Sequence, residues 1–541
     1  MKQALLTALV CSTLCALGAP IQVKDLRTES TTNPTGVSNS PRLSWKLDSS
    51  ERGAFQSAYE IVAATSPEKL DEKKADLWAT RKKKGATRLL VSWQGKPLKN
   101  GQKVHWKVRV WDKEDQPGDW SEIATFVVGD QSKLAKPGRI SGFESSSDKI
   151  NQFYARSITN LEQRLAAFTE GDVVALGNGS EVHRSARAFL YHFDSVPHLT
   201  EWLRLMDAGI TKDKFFPIQP GSEKAAPISS DAGVLVGHPL WWMSGDAKLT
   251  RSRWDTYEGH IIAREEQDPL LKGTKWGGLT GSEEVSAEFI DLCYLGFSCR
   301  LVLELALPAV KPQKAIRFQV YASRIRKSFE RQFVNEDGSL KTKSQTGHVL
   351  ALRSAVLNPV QKAKVLADLI ALVNKNGSEV GPIGAHFLPG VLSLTGNHDL
   401  ALKALTDLTE EEQRTYVESG IAEWLMTFVA GIDTMAPGFN QVIVSPRIPS
   451  DDSVTWVKAY HDSPSGMITV RWEKLPESAL KAEVVIPAGT LSRVILPIGE
   501  NQKISEGGKK ISDAIGVEVI EKKDGKITLI TQSGKYSFLI K

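Results

Sequence analysis

Residues 150–165 read Ile-Asn-Gln-Phe-Tyr-Ala-Arg-Ser-Ile-Thr-Asn-Leu-Glu-Gln-Arg-Leu. Ile150, Phe153, Tyr154, Ile158, Leu161 and Leu165 recur at steps of three and four, the one-sided apolar stripe of a helix. This stretch marks a change of period. Before it, from residue 21 to about 130, apolar and polar residues alternate in short runs such as Leu43-Ser44-Trp45-Lys46-Leu47, Ala58-Tyr59-Glu60-Ile61-Val62 and Val104 to Trp111. Alternation with β-branched and aromatic residues predicts half-buried strands, and about seven such runs predict a sandwich of fibronectin type III or immunoglobulin kind. Trp45, Trp93, Trp106 and Trp111 are read as core or sheet-face residues.

Beyond residue 165 helical spacing recurs over 195–208, 247–265, 283–306, 313–333, 345–357, 360–375, 384–394, 398–407 and 411–430. Antiparallel helix pairs with short connections build bundles or α/α toroids, and no fixed repeat length points to a solenoid. From about residue 438 alternation returns, as in Met467 to Trp472, Ala482 to Ile486 and Ile527 to Thr531, and predicts a second β-sandwich. The expected organisation is a β-sandwich over 19–130, a linker over 131–145 with its Pro and Gly, a helical domain over 146–435 and a C-terminal β-sandwich over 436–541.

Length and composition fit this division. The chain has 541 residues, 41% of them apolar and 24% charged, with a net charge of +5. That is globular composition spread over several cores. The one dense basic run, Arg81 to Lys84, is read as a solvated loop, so no nucleic-acid partner is expected. The first residues, MKQALLTALVCSTLCALGAP, join Lys2 to an apolar run from Ala4 to Leu17, with Ala16 and Gly18 before a cut after Gly18. Residues 1–18 are therefore expected to be a signal peptide, and the protein to be secreted or periplasmic, with no integral membrane span. Cys293 and Cys299 would then remain, six residues apart on one predicted helix and beyond disulfide reach. No metal-ligand spacing and no phosphate loop occurs, and no cofactor is expected.

Several collinear words resemble glycoside hydrolase family 78, the bacterial α-L-rhamnosidases. Pro41-Arg42-Leu43-Ser44-Trp45, Gln56-Ser57-Ala58-Tyr59, Asp76-Leu77-Trp78, Trp106 to Asp112 and Trp120-Ser121 are similar to its N-terminal fibronectin-like domain. Ser141 to Ser147 with Asn151 to Tyr154 resembles the entry into its helical domain. Ser230-Asp231-Ala232-Gly233 with Leu240-Trp241-Trp242 and Gly245-Asp246, then Ser344-Gln345-Thr346, resemble words inside that domain, with Lys343 where Asp is usual. Ala422-Glu423-Trp424-Leu425, Ala430-Gly431-Ile432, Gly438-Phe439 and Ser445-Pro446-Arg447 resemble its exit. Val484 to Ala488 and Ser533 to Tyr536 resemble its C-terminal domain. The resemblance implies an (α/α)6-type six-hairpin toroid between two β-domains, and an inverting hydrolase of rhamnose-containing glycans. A β-domain usual between the first module and the barrel is missing.

The departures fall on the chemistry. An inverting glycosidase needs two carboxyl groups about 6.5–9.5 Å apart, one of them protonated. Collinear with the family's acid-rich motif is Thr169 to Glu181, in which Val174 holds the general-acid position and Glu181 stands for the last Asp. The segment that carries the general base is absent where Asp407-Leu408-Thr409 passes into Glu410-Glu411-Glu412. Glu181, Glu170 and Asp172 are the candidate substitute acids, followed by Asp231 and Glu258. Glu283-Glu284 and Glu410 to Glu412 open helices, where the helix dipole accounts for them. Trp241, Trp242, Trp254 and Trp276 suit stacking against a sugar, and His386 completes the candidate substrate contacts. Three functions follow: a rhamnosidase relative that binds carbohydrate but has lost hydrolysis, an active glycosidase using acids such as Glu181, or a non-catalytic extracellular glycan-binding protein.

Overall fold

The computed structural model describes residues 21–130, 134–226, 228–273 and 285–541. Residues 1–18 and Trp276, Glu283 and Glu284 lie outside the described residues. The N-terminal domain is a sandwich. Gln22–Thr28, Arg42–Asp48 and Val91–Ser92 form one sheet. Thr35–Val37, Ala124–Val128, Lys103–Trp111, Ala58–Ala64 and Trp78–Ala79 form the other, with Lys83–Lys84 beside Ala58–Ala64. The alternating residues meet between the sheets, where Leu43, Trp45, Ile61, Trp106, Val108 and Phe126 are buried. Trp45 gives its indole N–H to Gln56 at 2.9 Å, so the one polar atom of that ring is satisfied in the core.

Six helical hairpins follow among the described residues. Their outer members are α1 (Asp148–Thr169), α3 (Val196–Ala208), α6 (Trp254–Gln267, after the short α5, Ala247–Ser252), α8 (Pro312–Phe333) and α10 (Pro359–Asn376). The sixth outer position is shared by α12 (His398–Thr406) and α13 (Glu410–Glu418). The inner members are α2 (Gly179–His192), α4 (Ala232–Ser244), α7 (Ala287–Ala306), α9 (Gln345–Arg353), α11 (Pro382–Leu394) and α14 (Ala422–Trp424), the last running on as a π-turn through Val429. α2 packs on α4, α4 on α7, α7 on α9 and α9 on α11, and α14 packs back on α2. Trp424 gives its N–H to Ser393 at 3.0 Å and ties α14 to α11. The ring is therefore closed, an (α/α)6 toroid.

Two inner helices escaped the periodicity reading, and for one physical reason. Amphipathic spacing reports a helix with one wet face, whereas inner helices are covered on nearly every side. In α4 only His238 and Trp242 are not buried, and in α2 only Ser180, Glu181 and Arg187. Other expected helices divide. The 411–430 stretch breaks at Gly420, whose φ is +75° and whose Cβ would lie 2.7 Å from the Arg184 carbonyl oxygen. The 247–265 stretch breaks at Arg253, between α5 and α6.

The expected linker 131–145 is corrected at its C-terminal end. Ser141–Ser145 is a strand paired antiparallel with Trp456–Ser463, with Phe143 opposite Ala459. Ser141, Phe143 and Ser145 are buried in alternation, a two-residue period too short to stand out beside Pro137 and Gly138. This strand edges a seven-stranded sheet that continues through Gly466–Lys474, Leu480–Ile486 and Gly534–Ile540. A five-stranded sheet beginning at Ile432–Thr434 faces it. Charge pairs clamp the domains together. Arg42 reaches Asp246 at the start of α5 with two contacts of 2.5 and 2.8 Å, and Arg52 reaches Glu506 at 2.6 Å.

Candidate functional site

Two sets of candidate side chains lie in the two halves of the toroid. Near the N-terminal ends of the inner helices lie the four leading acids singled out in the sequence, Glu170, Asp172, Glu181 and Asp231. Glu170 caps α1 and is exposed. Asp172 is exposed on the following turn, where its carboxylate accepts the N–H of Val174 at 3.1 Å. Val174 is 38% exposed and brings no titratable group. Glu181 stands at the third position of α2. Its carboxylate accepts the N–H of Asn178 at 2.9 Å while Asn178 accepts the N–H of Glu181 at 3.1 Å, a capping box.

Asp231 is fully buried. Both its oxygens accept from Arg264 at 2.9 Å, and His260 Nε2 lies 2.8 Å from one of them. Arg264 also reaches Asp291 at 2.6 Å. Burial alone would raise the Asp231 carboxyl, but the charge of Arg264 and the bond to His260 outweigh it and hold it well below the usual carboxylate range. Glu258 is bound to Lys314 at 3.0 Å and receives the Trp254 N–H at 3.2 Å. Among the described residues, the four leading acids share no hydrogen-bond or ion-pair partner. One of these carboxylates is thus engaged in a helix cap, one is buried in an ion pair and two are exposed.

Rings close the axis just beyond these acids. His183 of α2 meets Tyr294 and Phe297 of α7 at 5.7 and 6.0 Å, and His386 and Phe387 of α11 at 5.6 and 6.1 Å. α2, α7 and α11 are alternate members of the ring, so they meet only across its centre. Burial keeps His183 neutral, with His386 and Arg184 adding to the effect. His386 donates from Nδ1 to the Ser419 carbonyl at 3.0 Å, and burial pushes its pKa down to about 3. It belongs to this plug.

The other half of the toroid, toward the C-terminal ends of α2, α4 and α7 and at the start of α14, carries a polar cluster, the cup, that the sequence reading largely missed. Arg187 donates to Glu423 at 2.6 Å and to Asp433 at 3.1 Å. The Tyr191 hydroxyl donates to Asp433 at 2.8 Å. Glu304 accepts from Arg300 at 2.7 Å and lies 2.8 Å from His238 Nε2. Trp242 lies nearly parallel to His238, 6.3 Å away and 13° inclined, with Trp241 edge-on to it at 5.5 Å. Arg353 sits 5.8 Å from the rings of Phe297 and Phe387, on the floor that the plug provides.

The cup separates its carboxyls electrically. Burial raises Glu423 against the pull of Arg187. Glu304 is lowered, because its bond to His238 and the charge of Arg300 outweigh burial. A protonatable carboxyl, a carboxylate, guanidinium forks, a phenol and a partly open indole together offer both donors and acceptors to hydroxyl groups and a face to C–H bonds. Of the predicted aromatic contacts, Trp242 is half-buried here, Trp241 is 8% exposed behind it, and Trp254 is 1% exposed in the outer core against Phe318. One signal was readable: His238 and Trp242 are four residues apart in an otherwise apolar helix, as are Arg300 and Glu304 at the end of α7.

Family comparison agrees with the architecture. The model of the bacterial alpha-L-rhamnosidase 6 hairpin glycosidase domain matches residues 138–421. The Rha78A-like N-terminal immunoglobulin domain matches 23–131, and the bacterial alpha-L-rhamnosidase C-terminal domain matches 431–510. An alpha-L-rhamnosidase of Formosa agariphila is 37% identical over 258 residues, covering 45% of this chain and 26% of that relative. One from Streptomyces avermitilis is 26% identical over 371 residues, covering 61% of this chain and 35% of that relative. The chain thus spans about a quarter to a third of the length of these two relatives. The structure of an alpha-L-rhamnosidase from Dictyoglumus thermophilum superposes with a TM-score of 0.85 at 14% identity, covering 96% of this chain and 99% of that one. The Streptomyces avermitilis alpha-L-rhamnosidase complexed with L-rhamnose gives 0.84 at 12%, covering 96% and 100%. At these identities the structures establish the fold.

Proposed function

The chain belongs to the bacterial alpha-L-rhamnosidase six-hairpin family, and on that premise we propose that it binds rhamnose-containing carbohydrate and does not hydrolyse it by the family's acid–base pair. The observation that carries this reading is the engagement of Glu181, the best-placed acid, as the cap of α2. Val174 in the general-acid position can neither give nor take a proton, and the ring cluster around His183 supports closure of the axis below it. Inversion needs two carboxyl groups placed across the scissile bond with room for a water, and a valine in the acid position supplies neither a proton nor a charge.

Saccharide recognition through Trp242 and the polar groups of the cup fits the same lineage. No helix among the described residues is long and apolar enough to cross a membrane. Export through residues 1–18 to the periplasm or medium is part of the proposal, and suits a protein that meets polysaccharide outside the cell.

The test is a titration of the purified chain with L-rhamnose and rhamnose-terminated oligosaccharides, read by tryptophan fluorescence and by product analysis. Saturable binding with intact ligand recovered is the expected result. Release of rhamnose at enzymatic rates overturns it.

A further inference from the structure

Beside the cup, a groove of about 420 Å3 runs between the C-terminal ends of α7, α9 and α11 and the first turns of α10. That lies within the range of about 300–1,000 Å3 for ligand pockets. Its walls are the side chains of Leu352, Leu366, Val391 and Leu394, surfaces suited to the C–H face of a sugar ring. Its polar groups include Arg300, Arg353 and Lys362, and no carboxylate lines it.

The three cations differ. Arg300 is held by Glu304 at 2.7 Å. Lys362 is exposed on the rim. Arg353 is open to the groove, and no described carboxylate lies within ion-pair distance of it; its neighbours are the Phe297 and Phe387 rings. A planar fork 5.8 Å from two ring centroids, beside a second cation and with the Glu423 and Glu304 carboxylates acting on it only from beyond ion-pair distance, can accept a planar anion.

We propose that this groove binds a saccharide bearing a carboxylate, with the carboxylate seated on Arg353 and the sugar ring against Leu352 and Leu394. The inference deepens the carbohydrate-binding reading and rests on it. It assigns the ligand an acidic sugar unit, and it places recognition at the end of the toroid remote from the acids expected in the sequence.

The experiment is calorimetric titration of the full chain with trigalacturonate and with its methyl ester, which keeps the rings and removes the charge. Trigalacturonate should bind at least tenfold tighter than the ester at low salt, and the advantage should shrink as salt is raised. Arg353→Gln should abolish the difference. Arg353→Lys, which keeps the charge and loses the fork, should retain part of it, and circular dichroism should find both variants folded. Equal binding of acid and ester, or an unchanged preference in Arg353→Gln, overturns the inference while leaving neutral-carbohydrate binding standing. Binding of sulfated but not carboxylated saccharides overturns the carboxylate assignment. Failure to bind any saccharide, rhamnose-terminated ones included, overturns both readings.

Discussion

Glu181 and Asn178 exchange hydrogen bonds at 2.9 and 3.1 Å across the first turn of α2, each side chain accepting the other's backbone N–H. The arrangement uses the Glu181 carboxylate as an acceptor, a task that an amide oxygen performs equally well. Glu181→Gln should therefore leave the thermal midpoint close to that of the parent. Glu181→Ala should cost about 1 kcal/mol, by loss of half the capping box. Differential scanning calorimetry of the two variants checks this, and a large loss in the Gln variant would point to a charge-dependent role.

Asp231 has a structural task of a different kind. Removing it as Asp231→Ala leaves Arg264 with only part of its counter-charge in the core, and should destabilise the helical domain by about 3–5 kcal/mol. Its folded pKa is lowered, so its stabilisation is present above the ordinary carboxylate value of about 3.9 and is lost as pH falls below that toward the folded value. Acid titrations followed by circular dichroism should find the parent losing stability over that window more steeply than Asp231→Asn.

Trp242 and Trp254 separate binding from packing. The half-buried Trp242 ring stands in the cup, so Trp242→Ala should weaken saccharide binding about tenfold with a small change in midpoint. Trp254 is 1% exposed, and Trp254→Ala should cost about 3–5 kcal/mol without a specific effect on affinity. Titration and thermal unfolding of both variants test the contrast.

The clamp between the first two domains is also measurable. Arg42 joins Glu29 of its own sandwich to Asp246 of the helical domain, with all three side chains largely covered. Arg42→Ala should lower stability by about 2 kcal/mol and loosen the junction, seen as faster amide exchange in residues 246–250. Unchanged exchange there would contradict the clamp.

The sequence made the architecture legible where side chains have one wet face and one dry face. Ile150 to Leu165 and Val104 to Trp111 announce their periods, and those elements form as expected. α2 and α4 did not announce theirs, because burial on nearly every side leaves no stripe. The candidate acids were legible as residues but not as partners. Asp231 depends on Arg264, 33 positions away, and nothing in spacing predicts that pairing. The cup was hidden for the same reason: Arg187 meets Asp433 only because the ring closes, 246 positions later.

The proposed loss of hydrolysis is tested most directly by release of chromophore from an aryl α-L-rhamnoside, with the parent protein at high concentration beside Glu181→Gln. The account predicts no turnover above the uncatalysed rate in either protein. Turnover by the parent that collapses in Glu181→Gln would contradict it and make Glu181 a working catalytic group.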